Sequence, residues 1–132
     1  MNKICTSLEQ SKKLIELGID INTADMYWWP TSIRYYIEAM DDGDFNEEEG
    51  HIRAWSLAAL LGVLPIVYTN HKKEVCGPLH IDITDSENPF ALWYVNPLHK
   101  GSIVELKTNE YDNLLDACVE MILKLKENNN LS

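Results

Sequence analysis

The amino-acid sequence predicts an α+β fold: an antiparallel β-meander of three to four strands, packed against N-terminal helices and a closing C-terminal helix. Helical spacing of apolar residues dominates both ends of the chain. From Ile66 onward the apolar residues fall in several short runs and recur at every second position, which is the period of a β-strand. The connections between these runs are too short for parallel crossovers, which need a dozen or more residues, so neighbouring strands are expected to be antiparallel.

The first predicted helix covers TSLEQSKKLIELGI. Thr6 and Glu9 have the spacing of a capping box, and Gly18 lies where a left-handed residue ends a helix. Its apolar stripe consists of Leu8, Leu14, Ile15 and Leu17. We expect Ile19 to close over the end of this helix.

Two further helices are predicted before the meander. Ile33, Tyr36, Ile37 and Met40 have helical spacing, which predicts a short helix over residues 32–40. The run AWSLAALLGVLP has almost no polar face, so we expect a second short helix, buried nearly all round and ended by Pro65.

The meander and the last helix follow. The predicted strands are IVYT, LHIDIT, FALWYV and SIVELK, separated by the turn signals DSENP and NPLHKG. The closing helix, NLLDACVEMILKLKEN, has its acids early and its bases late, which suits the helix dipole. Its apolar stripe consists of Leu114, Cys118, Met121, Ile122 and Leu125.

The length of 132 residues predicts one domain over residues 1–132, with a flexible acidic loop at about 41–50 and a frayed tail at 127–132. The three cysteines are odd in number and far apart, which favours a reducing, cytoplasmic location. No apolar run has the length of a signal peptide at the N-terminus or of a membrane span elsewhere, so we expect no membrane contact.

The formal net charge of −10 belongs mostly to one segment. Seven acids and no base lie between residues 38 and 49. Direct binding to nucleic-acid phosphates needs clustered Lys and Arg, so this charge pattern argues against it.

No catalytic, metal or cofactor site emerges from the motifs. Asp42, Asp44 and Asn46 fit the start of a calcium loop, but Glu47 and Arg53 stand where that loop needs Gly and a bidentate Glu. A zinc set of His71, Cys76 and His80, with His99 or Cys118 as a fourth ligand, lacks the paired spacing of structural sites. Cys76 with His80 or His99 would form a nucleophile and base, although nothing in the sequence brings them together.

Three segments carry a resemblance: CTSLEQSKKLIELGIDINTADMYWW, AWSLAALLGVLP and NLLDACVEMILKLKEN. They resemble an uncharacterised family of short proteins from Bacteroides-type gut bacteria, often carried by phages and other mobile elements. The resemblance implies an accessory protein that binds something rather than a metabolic enzyme. It assigns no activity and no functional residues.

The candidate binding region is DMYWWPTSIRYY, residues 25–36, which holds five of the twelve aromatic side chains. Strand alternation would turn Met26 and Trp28 one way and Tyr27 and Trp29 the other. One hypothesis places every ring in or at the edge of the core. The other leaves at least two rings exposed, with the acidic loop as a polar rim around a patch for a protein partner. The residues assigned to that patch are Tyr27, Trp29, Tyr35, Asp41, Asp42 and Asp44.

The sequence therefore favours a small protein-interaction module with an unknown protein partner. It is also compatible with a homo-oligomer. An acidic decoy of nucleic acid, directed against a DNA-binding protein, is the alternative, although its carboxylates would need to spread over an extended face. A small enzyme is the third class, and no motif supports it.

Overall fold

The computed structural model describes residues 3–40, 44–98 and 103–128, and it confirms the α+β class with a helix near each end. Contacts group the described chain into two compact units, residues 3–62 and residues 63–128. Each unit has its own antiparallel strands. The prediction that residues 1–132 form one domain stays a prediction.

The first unit contains a three-stranded antiparallel sheet of order β2-β1-β3 and the helix α1. A second helix, α2, begins in this unit and ends at the first residue of the other. The elements in chain order are α1 (Leu8–Glu16), a 3₁₀ turn (Ile21–Thr23), β1 (Met26–Pro30), β2 (Tyr35–Ala39), a 3₁₀ turn (Glu47–Glu49), β3 (Ile52–Ala54) and α2 (Leu57–Val63).

Helix α1 is where the sequence predicted it, but it begins one residue later. Ser7 is the N-cap and forms the capping box with Gln10, whereas Thr6 is fully buried. Gly18 ends the helix in a left-handed conformation with φ of 84°. The Gly18 N–H donates to the Ile15 carbonyl and the Ile19 N–H to the Leu14 carbonyl, so Ile19 and Leu14 close this end as two buried residues.

The predicted helix over residues 32–40 is wrong, because the chain reverses at Ser32–Ile33 and returns as strand β2. Each β2 residue lies opposite a residue of β1, from Tyr35 opposite Pro30 to Ala39 opposite Met26. Aromatic and β-branched residues favour such cross-strand pairs. Residues 35–39 therefore form a strand despite the helical spacing of the four apolar residues, because pairing with the aromatic strand β1 decides the structure of this segment.

Helix α2 forms as predicted, but it is not buried all round. Leu60 is the buried residue within it, and the Leu61 side chain is 38% exposed. Trp55, which the sequence grouped with this helix, lies before it and is fully buried.

The second unit contains the predicted meander as a three-stranded antiparallel sheet of order β6-β7-β8, together with a short two-stranded ribbon, β4-β5. The elements are β4 (Tyr68–Thr69), β5 (Val75–Cys76), β6 (Leu79–Ile83), β7 (Phe90–Asn96), β8 (Ile103–Lys107) and α3 (Leu114–Glu127). The predicted apolar face of β6 is only partly covered, because Ile81 and Ile83 are 44% and 68% exposed.

The closing helix α3 packs on the central strand β7 and supplies much of the core of this unit. Asn113 caps it by accepting a hydrogen bond from the Asp116 N–H. Its buried face is wider than the predicted stripe. The buried residues are Leu115, Ala117, Cys118, Val119, Met121, Ile122 and Leu125, whereas Leu114 is half-buried.

Two predicted flexible segments are only partly described. Residues 41–43 of the acidic loop and residues 129–132 of the tail lie outside the described residues. Helix α3 ends at Glu127 with Asn128 as its C-cap.

The packing of α3 predicts a large loss of stability when its core face is truncated. Met121→Ala and Ile122→Ala should each lower the free energy of unfolding by about 2 to 5 kcal/mol, because both side chains are fully buried. Denaturant midpoints measure this loss. Leu123→Ala, at a half-buried position of the same helix, is the matched control and should cost less. Unchanged midpoints for both core variants would remove this face of α3 from the core.

Candidate functional site

The aromatic segment divides between the core and the surface of the first unit. Tyr27 is buried, with 2% exposure, and its ring stacks on His51 at 5.1 Å between centroids. Its hydroxyl donates to the Glu38 carboxylate at 3.1 Å. Phe45 covers the same ring edge-on at 5.6 Å. Trp28 is half-buried, and its Nε1 donates to the Thr6 carbonyl at 3.0 Å.

The remaining rings of the segment stay partly in solvent. Tyr35 and Tyr36 are each 37% exposed. Trp29 is half-buried and stacks on Tyr36, its partner in the strand register, at 5.1 Å. The Arg34 guanidinium lies over the Tyr36 ring, 4.8 Å from its centroid.

The described part of the acidic loop is tied down by local hydrogen bonds. The Asn46 side chain accepts from the Glu48 N–H and so caps the turn Glu47–Glu49. Gly50 follows in a left-handed conformation, with φ of 86°, which a residue with a Cβ rarely adopts. The Asn46 N–H donates to Nδ1 of His51 at 3.0 Å, so this hydrogen bond ties the loop to the start of β3.

A groove of about 560 Å³ brings the two regions together within the first unit. Its walls come from α1, from the start of β2, and from the loop that leads into β3. Three of its apolar residues, Ile15, Ile21 and Tyr35, are each 37–38% exposed. The charged lining residues are Lys12, Glu16, Glu47 and Arg53, and Arg53 lies 3.8 Å from Glu47.

Only some of the predicted patch residues reach this groove. Tyr35 lines it, whereas Tyr27 lies in the core beneath His51 and Phe45 and is not available to a partner. Trp29 lies with Tyr36 outside the groove lining. Asp44 is exposed but does not line the groove, and Asp41 and Asp42 lie outside the described residues.

The sequence missed the part of the groove that comes from α1 and the turn after it. Ile15 was assigned to the core stripe of α1, because it follows Leu14 in an apolar run. Leu14 is fully buried, while Ile15 faces the groove. Successive helix residues differ by about 100° in direction, so one of two adjacent apolar residues often leaves the core, and that spacing was the available signal.

A second, smaller cavity of about 360 Å³ lies in the second unit and has polar and apolar residues in its lining. Its lining includes Asn70 and Glu105, which belong to a buried hydrogen-bonded network. The Asn70 amide donates to Glu74 and Glu105 at 3.1 and 2.8 Å, and the Asn96 amide donates to the same two carboxylates at 3.0 and 3.3 Å. This network satisfies buried polar groups and ties β8 to the ribbon β4-β5.

The histidine and cysteine candidates do not converge in the described structure. His71 and His80 are exposed, whereas Cys76 is fully buried, and His99 lies outside the described residues. The described ring contact of His80 is with Trp93. Among residues 3–40, 44–98 and 103–128, no three His, Cys, Asp or Glu side chains are placed to hold a metal ion.

The Cys76 thiol lacks the surroundings of a nucleophile. Burial raises its pKa, although a hydrogen bond with Tyr68 acts in the opposite direction and the nearby Glu105 raises it further. A thiolate is therefore disfavoured at neutral pH.

Neither the helices nor the similarity to known proteins identifies the chain. In the part of the chain that the structure describes, none of the helices has the length and apolar character needed to cross a bilayer. No protein-family model, curated protein or solved structure matches the chain.

The buried thiols predict both low reactivity and loss of stability at high pH. Burial raises the pKa of Cys5 to about 11 and that of Cys118 to about 12, from an ordinary value of 9.0. The unfolded chain therefore loses these protons first, so the stability present below pH 9 should fall as pH rises from 9 towards 12. Unfolding midpoints across this range measure the effect.

The same thiols should react slowly with a disulfide reagent in the folded protein at pH 8 and rapidly after denaturation. One thiol that reacts at the denatured rate in the folded protein would mean an accessible thiolate and would reopen the nucleophile hypothesis.

Proposed function

We propose that the chain is a protein-interaction module and that the groove of the first unit captures a segment of another protein. The observation that carries this proposal is the side-by-side exposure of Ile15, Ile21 and Tyr35 in one concave surface. Apolar side chains in a groove gain free energy when a partner removes them from water, at about 25 cal/mol per Å². An aromatic ring such as Tyr35 is a frequent energetic centre of protein interfaces.

The charges around the groove define the chemistry of the partner. Arg53 already lies beside Glu47, and its guanidinium stacks over Phe45 at 4.3 Å. The other two charged lining residues, Lys12 and Glu16, are both exposed. Asp44 and Glu48 are also exposed and each is adjacent in sequence to a lining residue, so they add negative charge to this loop. A segment with one or two apolar side chains flanked by Lys or Arg is complementary to this surface.

The cellular context of the proposal comes from the resemblance and the thiols. The resemblance supports an accessory protein of a phage or mobile element. Three free and buried cysteines support a reducing compartment, the cytoplasm. A nucleic-acid decoy is less well supported, because three of the five described carboxylates of the acidic segment lie in one short turn, Glu47–Glu49, rather than over an extended face.

The groove can be tested with a matched pair of variants. Ile15→Glu places a carboxylate in the groove wall, whereas Leu61→Glu makes the same change at a helix position of equal 38% exposure that does not line the groove. Both should alter stability by less than about 0.5 kcal/mol, which thermal unfolding checks. Only Ile15→Glu should weaken partner binding, by about tenfold or more, since it buries an unpaired charge in the interface.

The binding measurement uses a peptide array and a host lysate. On the array, wild-type protein should favour peptides that combine Leu or Ile with Lys or Arg, and Ile15→Glu should lose them. Lysate proteins count as partners only if wild type and Leu61→Glu retain them and Ile15→Glu does not. Capture of DNA-binding proteins that salt releases and Ile15→Glu leaves unchanged would favour the decoy instead.

A further inference from the structure

Strand β2 is an edge strand whose outer side carries no described strand partner. The sheet order is β2-β1-β3, so β1 covers one side of β2 only. Four of its five residues are exposed, among them Tyr35 and Tyr36, and Ile33 in the preceding turn is 88% exposed. An open strand edge presents unpaired N–H and C=O groups to any extended segment that fits.

The hydrogen bonds at the two ends of the hairpin show which backbone groups face outward. The Thr31 N–H donates to the Arg34 carbonyl, and the Met40 N–H donates to the Asp25 carbonyl, both at 2.9 Å. Residues of an antiparallel strand alternate between bonding one neighbour and the other. Arg34, Tyr36, Glu38 and Met40 therefore turn their backbone groups towards β1. The outer edge presents those of Tyr35, Ile37 and Ala39.

The side chains of β2 carry a self-complementary charge pattern. Arg34 and Glu38 lie two residues before and two residues after Tyr36 in the sequence. Alternation places all three side chains on the same face of the sheet. A two-fold rotation about Tyr36 therefore places the positive charge of Arg34 where the negative charge of Glu38 was, and the reverse.

We propose that a second copy of this chain pairs with β2, antiparallel and centred on Tyr36, to form a symmetric dimer with a continuous six-stranded sheet. In this register Arg34 of each copy lies opposite Glu38 of the other, so two ion pairs form. Tyr36 lies opposite its own symmetry mate. Tyr35 lies opposite Ile37, and these two pairs exchange four backbone hydrogen bonds. The same surface serves both copies, as a two-fold axis requires.

The charges select this register among the alternatives. The outward backbone groups allow antiparallel registers centred on Tyr35, Tyr36 or Ile37. Centring on Tyr35 places Arg34 opposite Tyr36, and centring on Ile37 places it opposite Met40. A parallel pairing in register would place like charges side by side, which is unfavourable. Only the register centred on Tyr36 neutralises both charges of both copies.

A charge exchange tests the pairing. The full-length wild type should dimerise as its concentration rises, by analytical ultracentrifugation. Arg34→Glu and Glu38→Arg should each weaken self-association by tenfold or more, because each sets like charges opposite one another. A mixture of the two variants should form a heterodimer, since one copy then carries two acids and the other two bases at facing positions. The double variant Arg34→Glu/Glu38→Arg should dimerise like the wild type.

Cysteine cross-linking tests the register independently of charge. Tyr36→Cys places a thiol next to its own symmetry mate, where opposed Cβ atoms are about 4.5–5.5 Å apart. Mild oxidation should therefore produce a covalent dimer, while the buried native cysteines leave the wild type uncrosslinked. Tyr35→Cys is the matched control, because Tyr35 has the same 37% exposure but lies opposite Ile37 in this register. It should cross-link much more slowly.

Three results would overturn the proposal: a wild type that stays monomeric up to about 1 mM, single charge variants that dimerise like the wild type, or equal cross-linking at both tyrosine positions. Thermal unfolding of each variant separates a lost dimer from a lost fold. Ile15→Glu, which tests the groove, should leave dimerisation intact, so failure of either proposal is visible without the other.

Discussion

The first unit depends on the burial of Thr6, whose polar groups join the segment before α1 to three other parts of the unit: β1, α1 and the residue that follows β3. Its N–H donates to the Trp55 carbonyl, and its hydroxyl accepts from the Trp55 N–H at 3.1 Å. Its carbonyl accepts from the Trp28 indole, and its hydroxyl also shares a hydrogen bond with Ser11 in α1. Thr6 has no exposed surface. Buried polar groups that all find partners fix one arrangement, since any other arrangement leaves some of them unpaired.

The groove follows from this arrangement, because Thr6 fixes where α1 lies relative to β1 and β3. With Leu14 turned into the core, Ile15 and Lys12 of the same helix are left beside the loop that leads into β3. Gly50 lines the opposite side of the groove. Its left-handed backbone passes so close to Pro30 that an added Cβ would lie 3.2 Å from the proline ring. A residue with a side chain there would be strained by its positive φ and would crowd the Pro30 ring.

The sequence predicted best those elements whose determinants are local. The end of α1 was predicted from Gly18 and Ile19, because the terminal hydrogen bonds need only those residues. Helix α3 was predicted from the consistent apolar spacing and charge order of NLLDACVEMILKLKEN. The N-cap was placed one residue early, because Thr6 has the right chemistry for a cap but is recruited by Trp55, 49 positions away.

The errors concern residues whose role is set by distant partners. Residues 32–40 have helical spacing, yet the adjacent strand MYWWP offers each of residues 35–39 a cross-strand partner. Tyr27 was placed in the hypothesised patch, with burial in the core as the alternative, and no neighbouring residue in the sequence indicates that Phe45 and His51 cover it. Tyr35 was placed in the same hypothesised patch and lines the groove, since it begins an edge strand at the rim of the sheet.

Tyr35 connects the two proposed contacts, because its side chain lines the groove while its backbone faces the open edge of β2. In the dimer, Ile37 of the second copy lies beside this ring and becomes a neighbour of the groove wall. A segment bound in the groove then contacts a surface that differs between monomer and dimer. Coupling between two binding events is reciprocal. If dimerisation changes the affinity for the segment by some factor, binding of the segment changes the dimerisation constant by the same factor. The Arg34→Glu chain, monomeric but with an unaltered groove lining, isolates the affinity of the groove alone, and its ratio to the wild-type affinity at high concentration gives that factor.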